Sequence, residues 1–265
     1  MSSSLKLLQS FTRVLPNVRG VGRLVLLIQP LLLWLVKKRK YKVSVLGSLM
    51  ELDIGENVDY KLMMIPQIYD RLETDFLKSQ VKEENVFVDI GGHIGMYACL
   101  ASRLVGPKGV VLTIEADPTN YKQLCANLNL NKYEQAKAIN IGVSDQEETL
   151  QLYLNTTGNR SGNTFLKGFN DRESVTVKLH KLVDILLLNQ IDQIDFMKID
   201  IEGFEYKVLN EFFAAAEKNL WPRFIMTEHH PSFVLGAGGD TLALLRRFGY
   251  VKHISSGINF IMKLT

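Results

Sequence analysis

The ten residues Val86-Phe87-Val88-Asp89-Ile90-Gly91-Gly92-His93-Ile94-Gly95 decide the fold. The first five carry no polar–apolar alternation and are rich in β-branched side chains, the pattern of a strand covered on both faces. The glycines behind them turn that strand into a helix reaching residue 105, where Gly106-Pro107-Lys108-Gly109 breaks the pattern. A glycine bend of this kind lets backbone approach a ligand closely and leaves the first N–H groups of the helix facing it.

Downstream the same unit repeats. Residues 110–114 read as a second strand ending in Glu115-Ala116-Asp117-Pro118, with Pro118 suited to a first helical position and Asp117 to its cap. A third strand is expected over 138–143, a fourth over 195–199 ending in Asp200-Ile201-Glu202-Gly203, and a fifth over 224–227 leading into Glu228-His229-His230-Pro231. Helices are expected over 118–129, 182–188, 204–216 and 241–248, and a hairpin of 250–253 with 258–263 closes the chain. Residues 149–154 and 175–179 also alternate as strands do, flanking a polar, glycine-bearing stretch, 155–171, of a length that marks a functional loop. Strands alternating with helices imply a parallel sheet wrapped on both faces. The expected fold is therefore α/β: a Rossmann-like seven-stranded sheet with its last strand antiparallel, spanning residues 51–265, preceded by an N-terminal helical extension of residues 1–50.

Composition fits this picture. The chain of 265 residues is 46% hydrophobic and 22% charged, as a globular protein is and a disordered one is not. Cys99 and Cys125 are the only cysteines, so neither a disulfide framework nor a thiolate metal site is expected, and a reducing, cytoplasmic compartment fits. The net charge of +3 hides an asymmetry: residues 1–50 hold nine Lys or Arg and no acid, leaving 22 bases against 28 acids, a net of −6, in the remainder. That acidic remainder argues against nucleic acid as a partner.

The extension also holds 24–36, thirteen uncharged residues, followed by Lys37-Lys38-Arg39-Lys40. Thirteen falls short of the roughly 20 residues that cross a bilayer. One reading is a helical pair packed on the main domain or on a second subunit. Another is peripheral contact of residues 1–42 with a membrane, apolar side chains in the interface and cations on anionic headgroups. A transit peptide ranks behind both.

In an open parallel sheet, ligands collect at the carboxyl ends of the strands. Asp89, just ahead of the glycine bend, suits a positively charged ligand, and Glu115, 24 residues beyond Gly91, suits the hydroxyls of a ribose. S-adenosylmethionine, a nucleoside bearing an ammonium and a sulfonium, meets both demands. A nicotinamide dinucleotide is the competing ligand, but its GxGxxG fingerprint requires glycine where Ile90 stands, and its phosphates would meet Asp89 with like charge. A P-loop is excluded, since no GK[ST] follows. A non-catalytic, membrane-attached binding module is the alternative from outside enzymology.

Residues 60–254 resemble the FkbM family of S-adenosylmethionine-dependent methyltransferases. The resemblance rests on Val88 to Gly95, on Glu115-Ala116-Asp117-Pro118, on Asn140-Ile141-Gly142-Val143-Ser144, on Lys198-Ile199-Asp200-Ile201-Glu202-Gly203, which is similar to the family's KxDxEG signature, and on Glu228-His229-His230-Pro231. The family usually carries Ala or Cys followed by Asn where this chain has Gly92-His93. The resemblance implies methyl transfer to an acceptor oxygen, a hydroxyl of a sugar or secondary metabolite. It also places Asp89, Gly91 and Gly95 around the methionine part, Glu115 on the ribose, and Ser144 and Asp145 near the adenine. With Gly92, His93 and Ala116 from the same loops, these make the expected cofactor-binding set.

A hydroxyl acceptor also needs a base. Asp200 leads, with Glu228 and His229 beside it and Glu202 and His230 near, the plain alternative for Asp200 being a strand-end acid that holds Lys198. Asp200, Glu228 and His229 end adjacent strands and form a candidate set for a divalent cation of the Mg or Mn kind, although nothing in the spacing demands a metal.

Overall fold

A computed structural model describes residues 3–16, 20–36, 38–167, 173–229 and 238–265. His230, Pro231 and residues 168–171 of the expected loop lie outside the described residues.

The decisive stretch is strand β3 (Val86–Ile90), buried at all five positions, followed by helix α5 (Met96–Val105). Gly91 and Gly95 both take φ +87, a left-handed conformation that costs a side chain but not glycine. Next come β4 (Val110–Ile114) and α6 (Pro118–Leu130), the helix capped by Asp117, whose side chain accepts from Thr119 N at 2.7 Å. After them follow β5 (Ala136–Ile139), β6 (Gly142–Ser144), β7 (Glu148–Tyr153), β8 (Ser174–Lys181) and α7 (Leu182–Leu188). The chain ends with β9 (Phe196–Ile199), α8 (Glu205–Ala215), β10 (Phe224–Glu228), α9 (Thr241–Arg247), β11 (Tyr250–Ser256) and β12 (Asn259–Leu264).

Seven of these strands make one sheet in the order β11-β12-β10-β9-β3-β4-β5. β10, β9, β3, β4 and β5 run parallel, and β12 is antiparallel to both neighbours. The expected seven strands with a reversed last strand are therefore present. Alternate residues feed opposite layers: Phe87 joins the core that holds α5, while Val86, Val88 and Ile90 join the one that holds α7, α8 and α9. Because β3 lies between β4 and β9 while the chain continues in one direction and then returns to the other, the order of strands reverses at β3. That is where a crevice opens above the strand ends.

Two expectations need correction. The third strand does not run through 138–143 but stops at Ile139, and β6 leaves to join a separate three-stranded sheet, β6-β8-β7. Asn140 makes the break: its side-chain Nδ2 donates to the carbonyls of Glu115 at 2.8 Å and Ala116 at 3.1 Å, tying the chain to the neighbouring strand end. Among the described residues, the N-terminal extension is helical only in α1 (Ser3–Thr12) and α2 (Val21–Leu35). After them β1 (Lys40–Val45) and β2 (Ser48–Asp53) form a hairpin that crosses the boundary drawn at residue 50, its turn made by Leu46 at φ 49 and Gly47 at φ 92. The strict exposed–buried alternation of Lys40 to Val45 is the signal that a helical reading of this segment overrides. Helices α3 (Asn57–Met64) and α4 (Arg71–Gln80) then lead into β3. Leu5 and Val25 are buried in the same core as Phe87, so α1 and α2 pack on the sheet domain.

Candidate active site

Above the carboxyl ends of β3, β4, β9 and β10 lies a cleft of about 1110 Å3, counted to its open mouth. One wall is the glycine bend. The amides of Gly91 and Gly92 both donate to Ile114 O at 2.9 Å, which folds the bend against β4. A Cβ added at Gly91 would run into the carbonyl oxygen of Asp200, and one at Gly92 into Thr113 Oγ1, so only glycine leaves room at these positions.

Glu115 ends β4 on the same wall. Its Oε2 accepts from His93 N at 2.7 Å and its Oε1 from Asp117 N at 2.8 Å, which fixes the carboxylate against the cleft while lone pairs remain for hydroxyl donors. Burial, opposed by these two amides, pushes Glu115 up to about 7. Asp89 stands behind the wall rather than on it. It is 1% exposed, with Oδ2 accepting from Thr113 Oγ1 at 3.2 Å and Oδ1 buried without a partner. Burial, opposed by the Lys198 charge, raises Asp89 to about 6. His93 adopts φ 48, and burial together with the Arg160 charge depresses it to about 3, so its imidazole is neutral at any working pH.

Not every expected residue lines the cleft. Gly91, Gly92, His93, Glu115 and Ala116 line the cleft, and Gly95 sits behind them against Leu124. Ser144 and Asp145 do not line it: Lys207 holds Asp145 at 2.9 Å and Glu148 at 3.1 Å, and Ser144 donates to Glu148 at 2.6 Å. The wall expected of them is made instead by Ile141, Gly142 and Val143, one step earlier, because the chain turns at Asn140. The loop over 155–167 folds across this side, held where Asn163 Nδ2 donates to Asp117 Oδ2 at 2.8 Å and Arg160 Nη2 to Gln123 Oε1 at 3.0 Å.

The opposite wall is acidic. Asp200, Glu202 and Glu228 all face the cleft. Lys198, 9% exposed, pairs with Asp200 Oδ2 at 2.8 Å and lies over the ring of Tyr97 at 4.8 Å. Desolvation opposes that charge, but Asp200 and Asp89 outweigh it and raise Lys198 above its ordinary value, so it is a fixed cation. Burial and the Asp200 charge lift Glu228 to about 7 and Glu202 to about 8. Glu202 takes φ 50, a strained conformation for a side chain in the KxDxEG turn. The turn is held from below by Glu205, which accepts from Ile201 N at 2.8 Å and Gly203 N at 3.1 Å. Capping thus falls to Glu205, leaving Glu202 on the cleft.

His229 does not join this group. Its Nδ1 faces Asp240 at 3.7 Å, its ring packs on Phe260, and its amide is held by Ile258 O. The expected Asp200, Glu228 and His229 trio is not assembled. Among the described residues no set of three or more His, Cys, Asp or Glu is placed to hold a metal ion. Sequence reasoning also missed Tyr69 and Asp70, which line the cleft from the segment between α3 and α4; Tyr97 donates to Asp70 at 3.0 Å. No local pattern marks either residue.

The doubly wound sheet, the glycine bend after its first parallel strand and the acid closing the second define the class of the fold as Rossmann-like, with its ligand crevice at the strand ends. The family description "Methyltransferase FkbM domain" matches residues 89–252, and the chain belongs to the FkbM family of S-adenosylmethionine-dependent methyltransferases. A curated relative, methyltransferase sdnD of Sordaria araneosa, is 28% identical over 173 residues, which is 54% of this chain and 66% of that protein's length. Among solved structures, an FkbM methyltransferase of Methylobacillus flagellatus aligns over 77% of this chain and 53% of its own, at 16% identity and a TM-score of 0.44. The O-methyltransferase TomG of Streptomyces achromogenes, in complex with the cofactor, aligns over 73% and 77%, at 11% identity and a TM-score of 0.43.

Proposed function

We propose that the chain moves the methyl group of S-adenosylmethionine to an oxygen of a small-molecule or glycan acceptor, a hydroxyl of a sugar or secondary metabolite, with Glu228 as the general base. The observation that carries this reading is the pairing on the acidic wall: Asp200 is bound to Lys198, while Glu228, beside it and with no cationic partner at hydrogen-bonding distance among the described residues, is raised to about 7. A carboxylate near 7 takes a proton from a hydroxyl far more readily than one at its ordinary value. Asp200 then serves to hold Lys198 and to raise its neighbours.

The residues present fit the cofactor. The unpartnered Asp89 Oδ1 supplies negative potential beneath the glycine bend, Gly91 and Gly92 leave space a side chain would fill, and Glu115 offers its remaining lone pairs to a ribose. When bound, the cofactor supplies an electrophilic methyl on a sulfonium. The chain's own task is to align an acceptor oxygen, keep water out and take the proton on Glu228 Oε. Tyr69, Asp70 and Arg160 line the space left for the acceptor.

Calorimetry tests the first half: S-adenosylmethionine and S-adenosylhomocysteine should bind, and NAD should not. Incubating the protein with methyl-deuterated cofactor and a cell extract tests the second. Label should appear on an ether or ester oxygen of a metabolite; label on nitrogen or carbon alone would overturn the oxygen assignment.

A further inference from the structure

The N-terminal helices carry an apolar surface that the methyl-transfer reading does not use. On α1, Leu7 and Phe11 are 74% and 64% exposed, and Val14, in the turn that follows the helix, is 76% exposed. On α2, Leu24, Leu27, Leu31 and Trp34 are 59%, 76%, 57% and 81% exposed. Each set follows the three-to-four-residue spacing of one helical face. The inner faces are accounted for: Leu5 and Val25 enter the core, Thr12 Oγ1 donates to Met64 O at 2.7 Å, and Gln29 Nε2 donates to Ile54 O at 2.8 Å. Both helices pack on α3, so the exposed stripes point away from the protein.

The surroundings of these stripes are cationic. Lys6, Arg23 and Lys38 are exposed in and beside the helices, and the first 50 residues contain no acid; Lys40 and Lys42, also exposed, stand opposite Asp53 and Glu51 in the hairpin. This charge decides the occupant. A second copy docking through the same patch would set the same cations against each other, since a two-fold interface repeats one surface on both sides. A bilayer with anionic headgroups satisfies both features at once, apolar side chains entering the interface and cations meeting phosphates. The helix α2 has 15 residues, about 22 Å long at the α-helical rise, and among the described residues no helix is long and apolar enough to cross a membrane. The arrangement suits a helix lying in the interface, with Trp34 at headgroup depth.

We propose that α1 and α2 dock this protein on an anionic lipid surface through Leu7 and Phe11, with Val14 in the turn after α1, and the Leu24–Leu27–Leu31–Trp34 stripe. The docked face lies beside the chemistry. A groove lined by Gly22, Leu26, Ile65 and Ile68 runs from α2 to Tyr69 and Asp70, which also line the catalytic cleft.

The test needs neither cofactor nor turnover, so it stands or falls apart from the methyltransferase reading. Full-length protein is mixed with vesicles of phosphatidylcholine alone, or with roughly a third phosphatidylserine, and floated on a density gradient. It should float with the anionic vesicles, tenfold less with neutral ones, and the emission of Trp34 should shift to the blue. Leu27→Glu/Trp34→Glu should abolish flotation while the thermal melt stays that of the parent, both positions being exposed. A parent that stays at the bottom of the gradient, or a double variant that floats equally well, overturns the proposal. So does a parent that is dimeric in sedimentation velocity and becomes monomeric in the double variant, which would assign the stripes to a second copy.

Discussion

Lys198 Nζ lies 2.8 Å from Asp200 Oδ2 at the end of one strand, almost wholly enclosed, with Asp89 and Asp70 acting on the same charge. This one buried cation compensates a wall of carboxylates. Without it they must either take up protons or repel one another.

Lys198→Met should therefore cost about 3–5 kcal/mol at pH 8, the usual penalty for stripping one partner from a buried pair. The loss should shrink at pH 5, where the carboxyls can protonate, and Lys198→Met/Asp200→Asn should recover part of it. Urea midpoints at the two pH values check this. Equal stability of the single variant and the parent at pH 8 would be incompatible with the compensating role.

Stability should fall as pH rises from about 4 to about 8, the raised carboxyls together outweighing buried, neutral His93, which acts the other way below its unfolded value of 6.5. Asp89 is lifted by burial from 3.8 to about 6, Glu115 and Glu205 from 4.5 to about 7, and Glu202 from 4.5 to about 8. Each native value exceeds the unfolded one, so the folded chain binds more protons in between. The stabilising contribution is complete below about 4 and is lost as pH climbs to about 8. Thermal melts of the ligand-free protein should shift downward across that window, by about 2–4 °C for each kcal/mol lost. A profile that rises with pH would refute the raised carboxyls.

Glu228→Gln should lower turnover by about 10²–10⁴ while leaving S-adenosylhomocysteine affinity within about threefold, because a base acts on the proton and not on the nucleoside. The parent's rate should rise with pH through about 7, where Glu228 loses its proton, and level off above. If Glu228→Gln turns over at the parent's rate, the base lies elsewhere.

Gly91→Ala and Gly95→Ala should separate two costs. Both positions hold φ +87, a strain of about 1–2 kcal/mol for alanine. At Gly95 the new Cβ first meets Leu124, at 3.2 Å, whereas at Gly91 it strikes the Asp200 backbone. Gly91→Ala should thus lose about 3 kcal/mol or more, together with cofactor binding, and Gly95→Ala about half of that. Calorimetric titration and melts of the two variants decide it, and indistinguishable variants would contradict the close approach of the Asp200 carbonyl.

Local signals settled a good deal of this architecture. A five-residue strand without alternation, glycines at the φ +87 positions 91 and 95 that follow β3, and Asp117 ahead of Pro118 are short-range patterns, written in period and backbone freedom. They place the parallel sheet and the bend above it, and the acids at 115, 200, 202 and 228 at strand ends. The hairpin of β1 and β2 was equally legible in its alternation and was hidden by the apolar, basic run before it. The break at Asn140 was not legible, since it depends on carbonyls 24 and 25 residues away in sequence.

The sequence by itself determined which elements form and which kinds of side chain reach the crevice, because spacing along a strand or helix fixes the face a residue occupies. Only the tertiary structure decided what each acid does there. Asp200 is spent on Lys198, Glu205 on two backbone amides and Asp145 on Lys207, while His229 turns to Asp240, leaving Glu228 and Glu202 as the raised carboxyls of the acidic wall that face the cleft opposite Glu115. Those assignments follow from how much burial costs each charge and which distant partner stands within reach to offset it, and neither quantity has a local signature in the chain.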